Sequence, residues 1–286
     1  MTRRSFSKAA AGTPLAFPLA AARLPIKKAV LLNMIDEGAT VADKFFIARD
    51  AGFEAMEVGN TPTMQEAEEI AKAAQAAKLP IHGIMNMEHW KSPLSSPEPG
   101  VPERTVESMK MSLDQAKLFG ASTVLLVPAV VNPQVRYADA WKRSQDRIRS
   151  LIPHAEKNKV VIAVENVWNK FLLSPTDMRR YVDEFKSPWV RCYLDVGNML
   201  LFGYPQDWIR ELGRERIAKL HFKDFKFAQR QAQFVNLREG ELDWKAVHQA
   251  LGEIGWSGYA TVELNKGGAA YLKDVAQRVD LILNGA

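Results

Sequence analysis

Eight times along this chain, a short apolar run gives way to a longer stretch with helical spacing. That alternation limits the available folds more than any other feature. The runs are Ala29–Asn33, Ala55–Val58, Ile81–Met85, Thr123–Val127, Val160–Glu165, Val190–Asp195, Ile217–Phe222 and Tyr259–Glu263. Each is short, and several are rich in β-branched residues, as strands buried on both faces are. Strand–helix alternation repeated eight times predicts a parallel sheet closed into a (β/α)8 barrel, an α/β fold, rather than a doubly wound sheet. The stretch from residue 23 to residue 286 is close to the ~250 residues such a barrel needs, so it is expected to form one domain.

Helix faces and ends fit the same scheme. Val41, Phe45 and Ala48 share a face, as do Val106, Met109, Leu113 and Ala116, and Val275, Val279 and Ile282. Thr40, Ser174 and Asp243 stand where N-caps are expected, and Gly52, Gly120 and Gly255 where helices should stop. The longest irregular stretch runs from Met87 to Pro102 and holds four prolines. It follows the third strand, so it is expected at the C-terminal rim as a lid.

The first 22 residues read differently. Arg3-Arg4-Ser5-Phe6 is followed by an Ala-rich apolar run ending at Ala20-Ala21-Ala22. Paired arginines, a short apolar run and small residues are the pattern of a twin-arginine export signal. The expected location is therefore periplasmic or otherwise exported, with a cytoplasmic protein as the alternative. Losing Arg3, Arg4 and Lys8 with no acid would take the formal net charge from +5 to +2. The basic balance is thus a weak argument for a nucleic-acid partner. One cysteine rules out an intramolecular disulfide framework, and Cys192 sits in a strand as a packed thiol. No apolar run reaches the ~18 residues of a membrane span.

In a barrel the active site is built where strands end. The fifth, sixth, seventh and eighth runs close on Glu165, Asp195, His221 and Glu263. Three carboxylates and one imidazole suit a divalent ion such as Mn²⁺, Mg²⁺, Co²⁺ or Zn²⁺. Any one of them alone could simply cap the next helix or pair with a lysine. Four on consecutive strands point to a shared site.

Longer motifs surround those residues. Glu165-Asn166-Val167-Trp168-Asn169-Lys170-Phe171-Leu172-Leu173-Ser174-Pro175, Asp195-Val196-Gly197-Asn198, His221-Phe222-Lys223-Asp224-Phe225 and Glu239-Gly240-Glu241-Leu242-Asp243-Trp244 are the stretches in question. With them the chain, from about Ala29 onward, resembles the xylose-isomerase-like TIM-barrel superfamily of sugar isomerases and epimerases. Within it the likeness is to the branch of hexulose-6-phosphate isomerases and L-ribulose-5-phosphate 3-epimerases. The resemblance implies that Glu165, Asp195, His221 and Glu263 hold one divalent metal ion, Mn²⁺ first among candidates. It implies that Glu165 and Glu263 act as acid and base. It also implies that Glu57 and His82 contact the sugar, with Asn198, Lys223 and Trp168 as further substrate-binding residues.

The chemistry explains the residue types. Moving a carbonyl along a sugar, or inverting the carbon beside it, removes a C–H proton too weakly acidic for an unaided carboxylate. A cation stabilises the enediolate charge, and two carboxylates on opposite faces remove and return the proton. Trp90 and Trp168 could stack on a sugar face. Lys223 is expected to orient a substrate oxygen or to pair with Asp224. His89, His154 and His248 are read as peripheral.

Two cues conflict. Relatives acting on free ketoses carry a His three residues after the metal Asp, where this chain has Asn198, as in the phosphate-using branch. An export signal argues instead against a phosphorylated substrate. A further reading is an exported lyase or hydratase that enolises an oxidised glycoside; another is a non-catalytic sugar-binding barrel. An abasic-site endonuclease on the same fold would need more than the five histidines present. No GxGxxG, Walker, GxSxG or HExxH pattern occurs. The expected partner is a small sugar, and barrels of this kind often form homo-oligomers.

Overall fold

Each of the eight apolar runs becomes a strand of one closed sheet in a computed structural model, which describes residues 23–228 and 231–286. The expected export signal lies outside the described residues. The chain runs β1 (Ile26–Leu31), α1 (Val41–Asp50), β2 (Ala55–Gly59), α2 (Met64–Ala77), β3 (Ile81–Met85), α3 (Val101–Phe119), β4 (Thr123–Leu126), α4 (Tyr137–Asn158) and β5 (Val161–Glu165). It continues through α5 (Pro175–Asp183), β6 (Val190–Asp195), α6 (Pro205–Arg216), β7 (Ile217–Phe222), β8 (Asp224–Ala228), β9 (Gln231–Val235), α7 (Trp244–Glu253), β10 (Gly258–Val262) and α8 (Ala269–Leu283). Strands β1 to β7 and β10 pair in parallel, and β1 closes the ring against β10. No helix among the described residues is long and apolar enough to cross a membrane.

Local chemistry sets the helix boundaries. Thr40 and Asp43 form a reciprocal capping box at α1, and Ser174 and Asp243 accept from backbone N–H groups at α5 and α7. Gly120 ends α3 with a left-handed φ of 69°. Phe45, Ala48, Met109, Leu113, Ala116, Val275, Val279 and Ile282 are buried against the barrel. Val41, expected on that face, is exposed at the first position of α1.

Two departures from regular pairing shape the interior. Met56 pairs with Ile81, but Glu57 pairs with Gly83, so β3 carries one extra residue, His82. Cys192 pairs with Ile217, but Tyr193 pairs with Lys219, so β7 carries an extra Ala218. A bulge re-aims the side chains around it. It explains how His82 and Gly83, adjacent in sequence, both meet the interior: His82 bonds Thr261, while a Cβ at Gly83 would press on Thr123.

The stretch from Met87 to Pro102 differs from the expected lid. Leu94 is fully buried, and the segment is pinned by Thr105 Oγ1 donating to Ser92 O at 2.6 Å and by Ser95 Oγ donating to Val130 O at 2.9 Å. Arg143 and Arg147 donate to the Ser95 and Leu94 carbonyls. The antiparallel hairpin β8–β9 was not anticipated. It rises from the rim just after β7 and carries Phe234.

Candidate metal centre

Strands β5, β6, β7 and β10 deliver Glu165, Asp195, His221 and Glu263 to one spot, with one ligand atom from each within 4.8 Å of the others. Glu165, Asp195 and His221 are buried, and Glu263, one residue past β10, is partly open. His221 Nδ1 lies 3.0 Å from Glu165 Oε1 and 3.2 Å from Glu263 Oε2. Lys223 Nζ is 2.7 Å from Glu263 Oε2 and 3.1 Å from Asp195 Oδ2. Lys223 therefore pairs with two cluster carboxylates, not with its neighbour Asp224. Asp224 turns away and accepts from the Trp244 indole and from backbone N–H groups of the loop beyond the hairpin.

The crowding of charge shows in the protonation of the groups. Burial pushes the Glu165 carboxyl up to about 7, against the pull of His221. Burial also opposes charge on Glu263, but the Lys223 ammonium and His221 hold it below the usual carboxylate range. His221 should lose basicity through burial, yet Glu57, Glu165 and Glu263 raise it well above an ordinary imidazole.

The crowding of the carboxylates tests whether these residues fit a cation. Asp195 Oδ1 accepts from the Gly197 and Asn198 N–H groups at 2.8 Å each, whereas the buried Oδ2 has the Lys223 ammonium, 3.1 Å away, as its partner. Three carboxylates drawn within 4.8 Å of one another around one imidazole repel, and a cation among them relieves that cost. The donor set also suits a hard or borderline divalent ion. The residues fit.

Beneath the cluster lies a buried polar layer. His221 Nε2 faces Glu57 Oε2 at 3.1 Å, and Tyr193 OH donates to the same oxygen at 2.5 Å. Tyr193 also meets Thr261 Oγ1 at 3.2 Å, and His82 Nε2 meets Thr261 Oγ1 at 2.8 Å. His82 stacks on Tyr259 at 4.6 Å. Glu57 and His82, expected to contact the sugar, are both buried below the cluster, and neither is among the residues that line the open cavity. Burial would raise the Glu57 carboxyl, but His221, His82 and Tyr193 hold it at about 2. Burial lowers His82 to about 3, so it is neutral.

The cavity above the cluster has a volume of about 300 Å³. Glu165, Glu263, Lys223 and Asn198 form its polar part, and Trp90, Trp168 and Phe234 its aromatic part. Thus Asn198, Lys223 and Trp168 line it, as the sequence suggested. His89 lines it as well, although it was expected at the periphery. Of the other two, His154 bonds Asp114 at a half-buried site, and His248 is buried in α7. Cys192 is fully buried, and burial raises its thiol. A larger cavity of about 620 Å³ opens at the opposite end of the barrel, beside Arg23 and Trp256, and no carboxylate lines it.

Sequence reasoning missed three supporting residues. Asn166 accepts from the Asp195 N–H and donates to the Asp195 carbonyl, both at 2.9 Å, tying β5 to β6. Tyr193 could have been found by period, since it lies two residues before Asp195 and so shares its face. Phe234 lies in the unforeseen hairpin.

Known proteins show the same architecture. The family described as "Xylose isomerase-like TIM barrel" matches residues 45–280. A protein of Escherichia coli K12 named "Putative L-ribulose-5-phosphate 3-epimerase SgbU" is 25% identical over 236 residues, covering 78% of this chain and 82% of that one. A 3-oxo-isoapionate decarboxylase of Pectobacterium atrosepticum is 32% identical over 112 residues, 36% of this chain and 39% of its own. Among solved structures, an L-ribulose 3-epimerase superposes with a TM-score of 0.75 or better, at 0.77, with 18% identity over 90% of this chain and 94% of that one. The 3-keto-D-glucoside 4-epimerase YcjR of E. coli superposes at 0.75, with 16% identity over 90% and 98%. With the family matched across most of its length, the chain belongs to the xylose isomerase-like TIM barrel family.

Proposed function

We propose that this chain is a divalent-metal-dependent sugar isomerase or epimerase that moves a proton at the carbon beside a ketose carbonyl. The observation that carries the reading is the approach of two carboxylates, Glu165 and Glu263, to one imidazole nitrogen at the floor of an open cavity. Names of relatives support it: the family likeness includes an L-ribulose-5-phosphate 3-epimerase.

Glu165, Asp195, His221 and Glu263 would hold the ion. When bound, it supplies positive charge for the oxygens of an enediolate, lowering the cost of removing the C–H proton. The remaining work belongs to the chain. Burial raises the Glu165 carboxyl and Lys223 holds Glu263 charged in the ion-free site; a bound cation would favour the carboxylate form of both, and each would offer an oxygen to remove or return the proton. They stand on β5 and just beyond β10, strands that are not neighbours in the barrel, and so approach a substrate from different sides. Lys223, between Asp195 and Glu263, is placed to orient a substrate oxygen. Asn198, hydrogen-bonded to Asn166 O at 3.0 Å, is fixed at the wall. Trp168 is fixed by its Nε1 donating to Asn198 O at 2.8 Å.

The test is proton exchange in Glu165→Gln and Glu263→Gln variants. Each should lose at least about a hundredfold in exchange rate while keeping its circular dichroism spectrum. Exchange retained in both would overturn the acid/base assignment. We further propose that the protein is exported, on the strength of Arg3-Arg4 and the Ala-rich run that follows. Fusing residues 1–22 to a folded reporter should place it outside the cytoplasm, and Arg3→Lys with Arg4→Lys should keep it inside.

A further inference from the structure

The cavity is chemically two-sided. Its floor is carboxylate, ammonium and amide; its mouth is aromatic. Trp90, Trp168 and Phe234 are 52%, 38% and 45% exposed, large values for such side chains. They are not scattered. Of the eleven large apolar side chains exposed among the described residues, eight lie in the segments that follow β3, β5, β6 and β7 at this rim. An apolar collar around a polar pocket marks a binding surface.

The rings are also held in place. Trp168 lies nearly parallel to Phe234, with centroids 5.8 Å apart at 17°, and the Phe225 ring meets it edge-on at 5.3 Å. Trp90 packs edge-on against His89. Fixed aromatic faces bind a ring without an ordering cost. Exposed aromatic faces offer nothing to a phosphate, which takes charged side chains or converging backbone N–H groups. Among the described residues the cavity lining holds one cation, Lys223, and it is paired with Asp195 and Glu263.

We propose that Trp90, Trp168 and Phe234 form an outer subsite for the second ring of a glycoside, so that the substrate is a neutral keto-glycoside and not a sugar phosphate. This rests on the reading of Glu165 and Glu263 as the proton-handling pair. The chemistry carries a corollary. The anomeric carbon of a glycoside is blocked, so its carbonyl must stand on another ring carbon. An oxidation of a ring hydroxyl must therefore supply this substrate.

Deuterium incorporation would be measured with Mn²⁺ for three probes: phenyl 3-keto-β-glucoside, free 3-ketoglucose and ribulose 5-phosphate. The wild-type protein should prefer the phenyl glycoside by at least about tenfold in kcat/KM, the scale of an apolar subsite. The Trp90→Ala/Phe234→Ala double variant should erase that ratio, and Trp90→Phe should restore most of it in the single-site comparison. Preference for the phosphate, or a ratio unchanged in the double variant, would overturn the proposal and leave the acid/base reading standing. So would a change of mass by light scattering in the double variant with the ratio intact, since the collar would then be an interface between copies. Exchange with none of the probes, in wild-type protein loaded with Mn²⁺, would overturn the acid/base reading and this proposal together.

Discussion

His221 has two nitrogens with different tasks. Nδ1 faces the carboxylate cluster, and Nε2 faces Glu57, itself held by Tyr193. A carboxylate behind a ligating imidazole fixes its tautomer and raises its basicity. Glu57→Gln should therefore weaken Mn²⁺ binding by roughly 10- to 100-fold in isothermal titration calorimetry. Unchanged affinity would remove Glu57 from the account. His89 gives a second prediction. Burial lowers it to about 4, and its Nδ1 accepts the Val127 N–H at 3.4 Å. An unfolded histidine titrates near 6.5, so between these values the unfolded chain binds more protons and stability falls as pH is lowered. His89 alone contributes up to about 3 kcal/mol of that loss, and His82, also depressed, adds to it with the same sign. Urea midpoints at pH 7 and pH 4.5 should draw closer together in His89→Gln than in the wild type. An equal gap in both would show that His89 is not the source.

The hairpin β8–β9 is the element on which the aromatic wall depends. Its base is organised by Asp224, which accepts from the Trp244 indole at 3.0 Å and from the Arg238 N–H at 3.0 Å, with Phe225, Gly240 and Leu242 N–H groups beside them. Gly240 passes so close that a Cβ there would collide with the Asp224 carboxylate. Asp224→Ala orphans several of these donors and should cost on the order of 3 kcal/mol in urea unfolding. A loss below about 1 kcal/mol would mean that the loop holds itself. The elements also show what a sequence discloses. The barrel strands were legible because each is an uninterrupted apolar run with a helical stretch after it. The hairpin was not. Gln231–Val235 is short and mostly exposed, and the alternation of Phe225, Lys226 and Phe227 is the hairpin's only mark. The bulges at His82 and Ala218 leave no trace in a single sequence, so the meeting of His82 with Thr261 is not legible in it. Glu57 was recognised as a buried strand carboxylate, but its partner lies 164 residues away, a distance no local pattern spans.

At the scale of the whole molecule, closure of the sheet turns four separate strand ends into one site. Glu165 and Glu263 are almost a hundred residues apart in sequence, and only the ring that pairs β1 with β10 brings them to the same nitrogen. The same closure separates the polar rim from the opposite end, where the larger cavity has no carboxylate. The central claim is that this rim removes and returns a proton beside a ketose carbonyl with the help of a divalent ion. The most direct test is NMR of the Mn²⁺-loaded protein in D₂O with a panel of ketoses, ketose phosphates and keto-glycosides, with and without EDTA. The account predicts deuterium at the carbon beside the carbonyl, abolished by EDTA, and the labelled carbon tells an isomerase from an epimerase. Incorporation that is indifferent to EDTA, or none with any sugar of the panel, would contradict it.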